Sequence, residues 1–256
     1  MKKTIKTIED LSLNAWPSWQ MQVYDGWILR FSHFYTHRTN SVEQIGQSLL
    51  PLEEKVAYCE EIYRDWGTPC IFKIPPIGDP ALDPYLERRG YHIEHATTVM
   101  TRDLDEVVDT RSERPGVDAF SNYSVEIGER VDERWLGAFF GLKGDVKAIH
   151  RKIVPNMYAA IPKRQVAVLV RDGGNVCGTG LGIVDRAFVG VYAIQVAPEY
   201  RRRGLATGIV ETILREGRRN GASGAYLQVV SDNAAAKAVY RRLGFREYYR
   251  YYFRVK

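Results

Sequence analysis

The chain has 256 residues, of which 45% are hydrophobic and 26% charged, and its formal net charge is +5 at pH 7. This hydrophobic content is enough for a folded core, so disorder is excluded as the default, and the length fits one large domain or two small ones. Because no run of about 18 apolar residues and no apolar signal stretch is present, we expect a soluble, cytoplasmic protein without membrane contact.

In chain order, the first half predicts a helix, a hairpin, a third strand and two helix–strand pairs. The hairpin turn is Asp25-Gly26, whose residues tolerate positive φ. The predicted elements are a helix over residues 8–16, strands over 21–24, 27–31 and 37–45, a helix over 51–66, a strand over 69–74, a helix over 82–89 and a strand over 96–102.

A polar, charged stretch containing Pro115-Gly116 follows, and we predict a linker at 105–118 between domains 1–104 and 119–256. The second half has the order β-α-α-β-β-β-α-β-α-β. Its predicted elements are a strand over 123–127, helices over 131–140 and 146–153, strands over 165–170, 176–184 and 188–196, a helix over 204–219, a strand over 225–230, a helix over 233–243 and a strand over 247–254.

The two halves have the pattern of a duplication. Gly67 matches Gly221 and Gly90 matches Gly244 at the same offset of 154 residues. The same helix–strand–helix–strand order follows in both halves, so we predict two related domains with the first one shortened.

The segment from 191 to 214 carries the clearest chemical signal. An apolar strand ends at Pro198, a basic turn with Arg201 and Gly204 follows, and a helix begins near Ala206. Free N–H groups at a helix start, together with arginines, can hold a pyrophosphate. The alternative is an ordinary turn with a solvated basic cluster, and the arginine clusters would also suit nucleic acid.

Two further features support a ligand site. Pro198 donates no hydrogen bond, so we expect the strand to part from its neighbour there and to leave residues 194–196 free for a peptide-like ligand arm. Asn233 and Tyr240, seven residues apart, share one helix face. A helix cap for Asn233 and a core position for Tyr240 are the alternatives.

These segments together resemble the coenzyme-binding part of the GNAT acetyltransferase superfamily. The matching motifs are Val196-x-Pro198, Arg201-x-x-Gly204-x-Ala206 and Asn233-x-x-Ala236-x-x-x-Tyr240-x-x-x-Gly244-Phe245. The resemblance implies an α/β (α+β) fold of two GNAT-like domains, each a mixed, mostly antiparallel sheet flanked by helices. It implies acetyl-CoA as co-substrate, bound by Ile194, Gln195, Val196, Arg202, Arg203, Gly204, Leu205, Ala206, Thr207 and Asn233, with Tyr240 as the catalytic acid for the departing thiolate.

The activity implied is an acyltransferase that acetylates an amine of a small molecule or peptide by direct attack, with no nucleic-acid partner. The alternatives are an acyl-CoA sensor without turnover and a transferase that uses aminoacyl-tRNA. Gln228 stands where relatives that acetylate protein N-termini often carry a glutamate base, so no base is assigned; water, Glu126 or Asp185 could assist.

The first half departs from the motif, so we predict that it binds no coenzyme. At the offset of 154, the basic-turn residues Arg201, Gly204 and Ala206 match Gln47, Leu50 and Leu52. Asn233 and Tyr240 match Asp79 and Leu86. Candidates for the acceptor pocket are the aromatic residues Trp135, Phe139, Phe140 and Tyr158, and the polar residues Asp25, Arg30, His37, Arg38 and Asn40.

Cysteines and histidines predict neither disulfides nor a metal site. The cysteines, Cys59, Cys70 and Cys177, are widely spaced, and no third ligand is near His92 and His95 in sequence. The alternating tail over 248–253 is a candidate homodimer interface.

Overall fold

The computed structural model describes residues 1–105 and 120–256, without the side chains of Lys2 and Lys3. In the hairpin turn Asp25 and Gly26 both have positive φ, 39° and 76°, as predicted. The N-terminal elements are α1 (Lys2–Ala15), β1 (Gln20–Tyr24), β2 (Trp27–Phe31), a 3₁₀ turn (His37–Thr39), β3 (Val42–Gln44), α2 (Leu52–Asp65), β4 (Ile71–Ile74), α3 (Leu82–Arg88) and β5 (His92–Asp103).

The C-terminal elements follow the predicted order, with bounds that differ by a few residues. They are β6 (Ser124–Gly128), α4 (Glu133–Lys143), α5 (Ala148–Ala159), β7 (Arg164–Asp172), β8 (Asn175–Asp185), β9 (Phe188–Val196), a 3₁₀ turn (Pro198–Tyr200), α6 (Leu205–Arg219), β10 (Gly224–Val230), α7 (Ala234–Arg242) and β11 (Arg246–Val255). Of the predicted linker, 105–118, only Asp105 lies within the described residues. Within the described parts, no helix is long and apolar enough to cross a membrane.

The third predicted strand, over 37–45, is mostly a turn. Asn40 accounts for this, because its side-chain oxygen accepts hydrogen bonds from the backbone N–H groups of Ser32 (2.8 Å) and Phe34 (2.9 Å). This side chain holds the loop closed and leaves only β3 to pair with β2. The turn places His37 beside Phe253 and Arg38 beside Gln228, both in the second half of the chain.

The described strands form one 11-stranded sheet in the order β1-β2-β3-β4-β11-β5-β10-β9-β8-β7-β6. The sequence predicts one sheet per half, and the last strand of each half departs from that prediction. Strand β5 lies between β11 and β10, and β11 lies between β4 and β5. The last strands of the two halves have thus exchanged places, which joins both halves into one sheet. The predicted domain boundaries stay a prediction.

Four equivalent helix ends have the same local structure. Gly67, Gly90, Gly221 and Gly244 all have positive φ, between 65° and 89°. Each glycine N–H donates to the carbonyl three residues earlier at 2.9 or 3.0 Å, and the next N–H donates five residues back at 3.0 Å. This closure needs a left-handed residue, which glycine adopts without strain. It supports the duplication read from the glycine spacing.

Helix α6 packs closely on one face of the sheet because β8 presents three alternating glycines to it. A Cβ on Gly178, Gly180 or Gly182 would stand 2.3 to 2.9 Å from side-chain atoms of Ile209 or Ile213. Such spacing leaves room only for hydrogen at these positions. The close packing fixes where α6 begins relative to the end of β9.

Helices α4 and α5 cover the other face of the sheet. The aromatic residues predicted for the acceptor pocket are core residues here: Trp135, Phe139, Phe140 and Tyr158 are each at most 6% exposed. The Trp135 indole N–H donates to the Val168 carbonyl at 2.9 Å, and its ring stacks on Phe139. Packing therefore accounts for these side chains, and the expectation that they line the pocket is wrong for Trp135, Phe139 and Phe140.

The C-terminal strand is internal to the sheet and is not an exposed edge. Residues 253–255 pair with both β4 and β5, and Tyr249, Tyr251 and Phe253 are buried against α1. The tail therefore serves packing within one chain, which contradicts its predicted use in a dimer interface; a homodimer through another surface stays a prediction. The three cysteines are buried and unpaired, as expected from their spacing.

Candidate active site

Strands β9 and β10 lie side by side for only part of their length. Their parallel pairing runs from Phe188 opposite Gly224 to Val191 opposite Leu227, and both strands then continue. On its other edge β9 stays paired with β8 as far as Val196. Backbone groups of residues 192–196 therefore face a gap, as predicted for residues 194–196.

A bulge causes this separation. Ala193 has a φ of 52°, and the pairing of β8 with β9 changes register between Thr179 and Leu181. A bulge inserts an extra residue and bends the strand. The prediction that Pro198 parts the strands is wrong, because they separate at residue 192. Pro198 instead begins the 3₁₀ turn after β9.

The basic turn leads directly into the N-terminus of α6. Arg202 and Gly204 both have left-handed backbone conformations, with φ of 61° and 81°. No side chain caps the helix at Gly204, and the first internal bond to its carbonyl comes from Gly208 at 3.0 Å. The N–H groups of Leu205, Ala206 and Thr207 thus point out of the helix start, where an anion is favoured.

A cleft of about 360 Å³ connects the gap in the sheet with the start of α6. It combines free strand backbone, a basic side chain, a helix N-terminus and a phenol. Its lining residues are Leu142, Ile194, Gln195, Val196, Arg201, Ala206, Ala236, Val239 and Tyr240. Four of these were not among the predicted binding residues: Leu142, Arg201, Ala236 and Val239.

Tyr240 reaches the cleft from α7. Its ring packs on Phe245 with centroids 6.1 Å apart, and the residue is only partly exposed. Burial raises the pKa of the Tyr240 phenol above its ordinary value of 10. The hydroxyl is therefore protonated at neutral pH and able to donate a proton.

The other predicted binding residues surround the cleft without lining it. Leu205 is buried in the core, and Arg202 is exposed on the turn. The Arg203 guanidinium lies 5.1 Å from the centre of the Tyr200 ring. The Asn233 side chain accepts a hydrogen bond from the Ala236 N–H at 3.0 Å, so it caps α7. Capping alone accounts for its position.

Comparison with known proteins decides the family. A family model described as "Probable histone acetyltransferase Rv0428c C-terminal" matches residues 3–254. The chain belongs to this acetyltransferase family. Its fold is the α/β fold of GNAT enzymes, a mixed sheet flanked by helices, and the resemblance found in the sequence is confirmed.

Several relatives resemble this acetyltransferase over most of its length. The "Uncharacterized N-acetyltransferase YobR" of Bacillus subtilis is 24% identical over 98% of both chains. The structure "GCN5-related N-acetyltransferase from Kribbella flavida" has a TM-score of 0.68 at 15% identity, covering 99% of this chain and 94% of that one. The "Tandem GNAT protein from the clavulanic acid biosynthesis pathway" has a TM-score of 0.62 at 18% identity, covering 84% and 74%.

On the opposite face of the sheet, both halves of the acetyltransferase meet where β9 and β10 part. Gln228 is the first β10 residue beyond the last pair with β9. Its side-chain oxygen accepts hydrogen bonds from the Arg38 guanidinium at 3.2 Å and from the Tyr251 hydroxyl at 2.7 Å. Of the polar residues predicted for the acceptor pocket, Arg38 is thus one that contacts Gln228, where β9 and β10 separate.

The two carboxylates considered as bases lie elsewhere. Asp185 is at the far end of β8, where it pairs with Lys163 at 3.1 Å. Glu126 lies on β6, three strands from β9, which is about 14 Å at ordinary strand spacing, and it pairs with Arg134 at 3.1 Å. Neither side chain is in position to take a proton beside Gln228.

Three other candidates for the acceptor pocket have structural roles: Asp25, Arg30 and Asn40. Asp25 accepts from the backbone N–H groups of Leu49 and Leu50, which lowers the pKa of its carboxyl, and Asn40 closes its own loop. Arg30 is buried, pairs with Glu43 at 3.1 Å and also bonds the Trp16 carbonyl. These contacts account for the three side chains without any ligand.

His37 joins a cluster that sequence reasoning missed. A bulge at His95, whose φ is 49°, accompanies a register change between β5 and β11. Glu94 accepts from His37 at 3.1 Å and from His92 at 2.8 Å, and ligand atoms of His37, Glu94 and His95 lie within 4.8 Å of one another. The expectation that no third ligand lies near His92 and His95 is therefore wrong. Hydrogen bonds to Glu94 account for the arrangement, and the absence of a metal stays a prediction.

Proposed function

We propose that this protein is an acetyl-CoA-dependent N-acetyltransferase that acetylates an amine by direct attack. The observation that carries the proposal is the cleft that runs from the uncapped start of α6 to the gap beside residues 192–196. It offers donors for a pyrophosphate at one end and free strand backbone for a pantetheine arm at the other.

The residues divide the binding task between them. N–H groups of Leu205, Ala206 and Thr207 and the side chain of Arg201 would bind the pyrophosphate. Backbone groups of residues 194–196 would pair with the pantetheine amides, and Ala206 and Ala236 leave room for close approach. A free β9 N–H would polarise the thioester carbonyl, and it requires no reorganisation during the reaction.

The chemistry then needs one protein acid. As the amine nitrogen bonds the carbonyl carbon and the carbon–sulfur bond breaks, Tyr240 donates its proton to the sulfur and recovers one from water. Gln228 cannot accept a proton, so the amine arrives neutral and loses its second proton to solvent.

Two alternatives make different predictions. A sensor would bind acetyl-CoA without releasing thiol in the presence of any amine, although a protonated Tyr240 in the cleft supports turnover. A transferase that uses aminoacyl-tRNA would bind tRNA instead of acetyl-CoA.

The test is calorimetric titration of acetyl-CoA into the wild type, Ala206→Glu and Ala206→Gln. A glutamate in the first helix turn is tolerated by the helix dipole but repels a pyrophosphate, whereas glutamine adds similar bulk without charge. We expect the wild type to bind acetyl-CoA at one site per chain. Ala206→Glu should bind it at least about tenfold more weakly than Ala206→Gln. A wild type that binds no acetyl-CoA would overturn the proposal.

A further inference from the structure

Arg38 places a cation beside the point where the strands part. Its guanidinium donates to the Gln228 side-chain oxygen at 3.2 Å, and no carboxylate among the described residues lies within ion-pairing distance of it. The neighbouring cations differ, because Arg30 pairs with Glu43 and Lys73 pairs with Glu9 at 2.7 Å. Partly buried charges are usually paired, and Arg38 differs from Arg30 and Lys73 in this respect.

The groups around Arg38 do not supply the missing negative charge. Tyr158, Tyr192 and Tyr251 interact electrostatically with Arg38. Burial raises the pKa of each of these three phenols, so all are neutral at physiological pH. None of these three phenols therefore offsets the positive charge of Arg38.

A second donor at the same place also has no partner. The Gln228 oxygen accepts from both Arg38 and Tyr251, which fixes the orientation of its amide. The Gln228 Nε2 is then left buried with no hydrogen-bond partner. An unpartnered buried donor costs free energy unless something binds it, and here it lies next to an unpaired arginine.

From these contacts we propose that the acceptor is an amine that also carries a carboxylate, an amino-acid type of compound, and that Arg38 with the Gln228 Nε2 binds that carboxylate. The inference rests on the proposed acetyl transfer and names the substrate class of the same site. Arg38, Gln228 and Gln195 are all partly exposed, so each residue is in contact with solvent. Gln195 also lines the coenzyme cleft and has a buried side-chain oxygen without a partner, which suits an amine N–H donor.

The same charge disfavours polycationic amines. An arginine close to an incoming ammonium group raises the free energy of the charged amine, and no described carboxylate beside Gln228 offsets the repulsion. In an amino acid the carboxylate pairs with Arg38, and the arginine also favours the neutral, reactive form of the amine. A polyamine has no carboxylate to pair with Arg38, so only the repulsion between its ammonium groups and the arginine remains.

The experiment measures thiol release from acetyl-CoA with matched acceptors. Each standard amino acid is compared with its α-amide and with spermidine, and rates are expressed per neutral amine because the amide lowers the amine pKa. The variants are Arg38→Gln and Arg38→Lys, with Arg64→Gln, an exposed arginine on α2, as the matched control. Calorimetric binding of acetyl-CoA to each variant checks that the fold and the coenzyme site are intact.

We expect the preferred acid to exceed its amide about tenfold or more in kcat/KM. Arg38→Gln should lower kcat/KM for the acid roughly 10- to 100-fold, mainly through KM, and leave the amide within about twofold, with partial rescue in Arg38→Lys. Equal use of acid and amide by the wild type, a preference for spermidine, or an equal loss for both in Arg38→Gln would overturn the inference while leaving acetyl transfer standing. Failure of the wild type to bind acetyl-CoA would overturn both proposals.

Discussion

Tyr240 is half-buried in the cleft, and its phenol has a pKa raised by burial. A raised pKa keeps the donor protonated up to and beyond pH 10, so no alkaline loss of activity below that pH should come from this group. We expect Tyr240→Phe to lower kcat about 100-fold, by a factor that stays constant from pH 7 to pH 9.5. Thiol release measured across this range checks both expectations.

Tyr85→Phe is the matched control for Tyr240→Phe. Tyr85 lies on α3 in the first half, away from the cleft, and loses only its hydroxyl in the variant. Its rate should stay within about twofold of the wild type. A Tyr240→Phe enzyme as fast as the wild type would remove the tyrosine from the reaction and leave the thiolate to depart unaided.

Between secondary-structure elements, α1 is held to the sheet by a buried ion network. Lys73 on β4 pairs with Glu9 on α1 at 2.7 Å and with Glu43 on β3 at 3.3 Å. Burial works to lower the pKa of Lys73, but the two carboxylates outweigh it and the pKa is raised. The Tyr249 hydroxyl of β11 also donates to Glu9 at 2.5 Å.

Removing Lys73 should destabilise the fold strongly. Lys73→Met leaves Glu43 with Arg30 as its cation and takes from Glu9 the cation it pairs with. We expect a loss of about 3–5 kcal/mol in the free energy of unfolding at pH 7. Urea unfolding of the wild type and the variant at pH 7 measures the difference.

Lys152→Met, at an exposed position on α5, is the comparison for Lys73→Met and should change stability by less than about 0.5 kcal/mol. If the two variants were equally stable, the network would not be what holds α1.

The elements predictable from sequence are those with local causes. The turn at Asp25-Gly26 and the helix ends at Gly67 and Gly221 depend on residues that tolerate positive φ, so their positions follow from residue type. The bulges at Ala193 and His95 have no such signal, because tertiary packing holds ordinary residues in a left-handed conformation. The exchange of β5 and β11 is likewise invisible to local patterns.

In the candidate site, too, local sequence predicts some residues, whereas others depend on tertiary packing. The uncapped start of α6 and the position of Tyr240 beside the cleft were predictable, because one stretch of the sequence, residues 191–245, contains both. Asn233 was ambiguous, since an N-cap and a ligand contact require the same residue type. Arg38 could only be named as a candidate, because its approach to Gln228 depends on how two distant segments pack.

For the whole molecule, the exchanged strands predict that the halves hold together without a covalent link. Strand β5 pairs with β10 and β11, and β11 pairs with β4, so each half contains a strand of the other. A protein cleaved at an engineered protease site within 106–119 should elute at the volume of the uncut chain and separate only in denaturant. Fragments that separate under native conditions would contradict this.

The same exchange has a consequence for the order of events during synthesis. Strand β4 gains its neighbour β11 only when residues 246–255 have left the ribosome. Until then the nascent first half exposes a strand edge and the apolar residues that Tyr251 and Phe253 later cover. Unpaired edges of this kind are where chains associate wrongly. The first half of this chain therefore stays incomplete until the last strand of the second half has been synthesised.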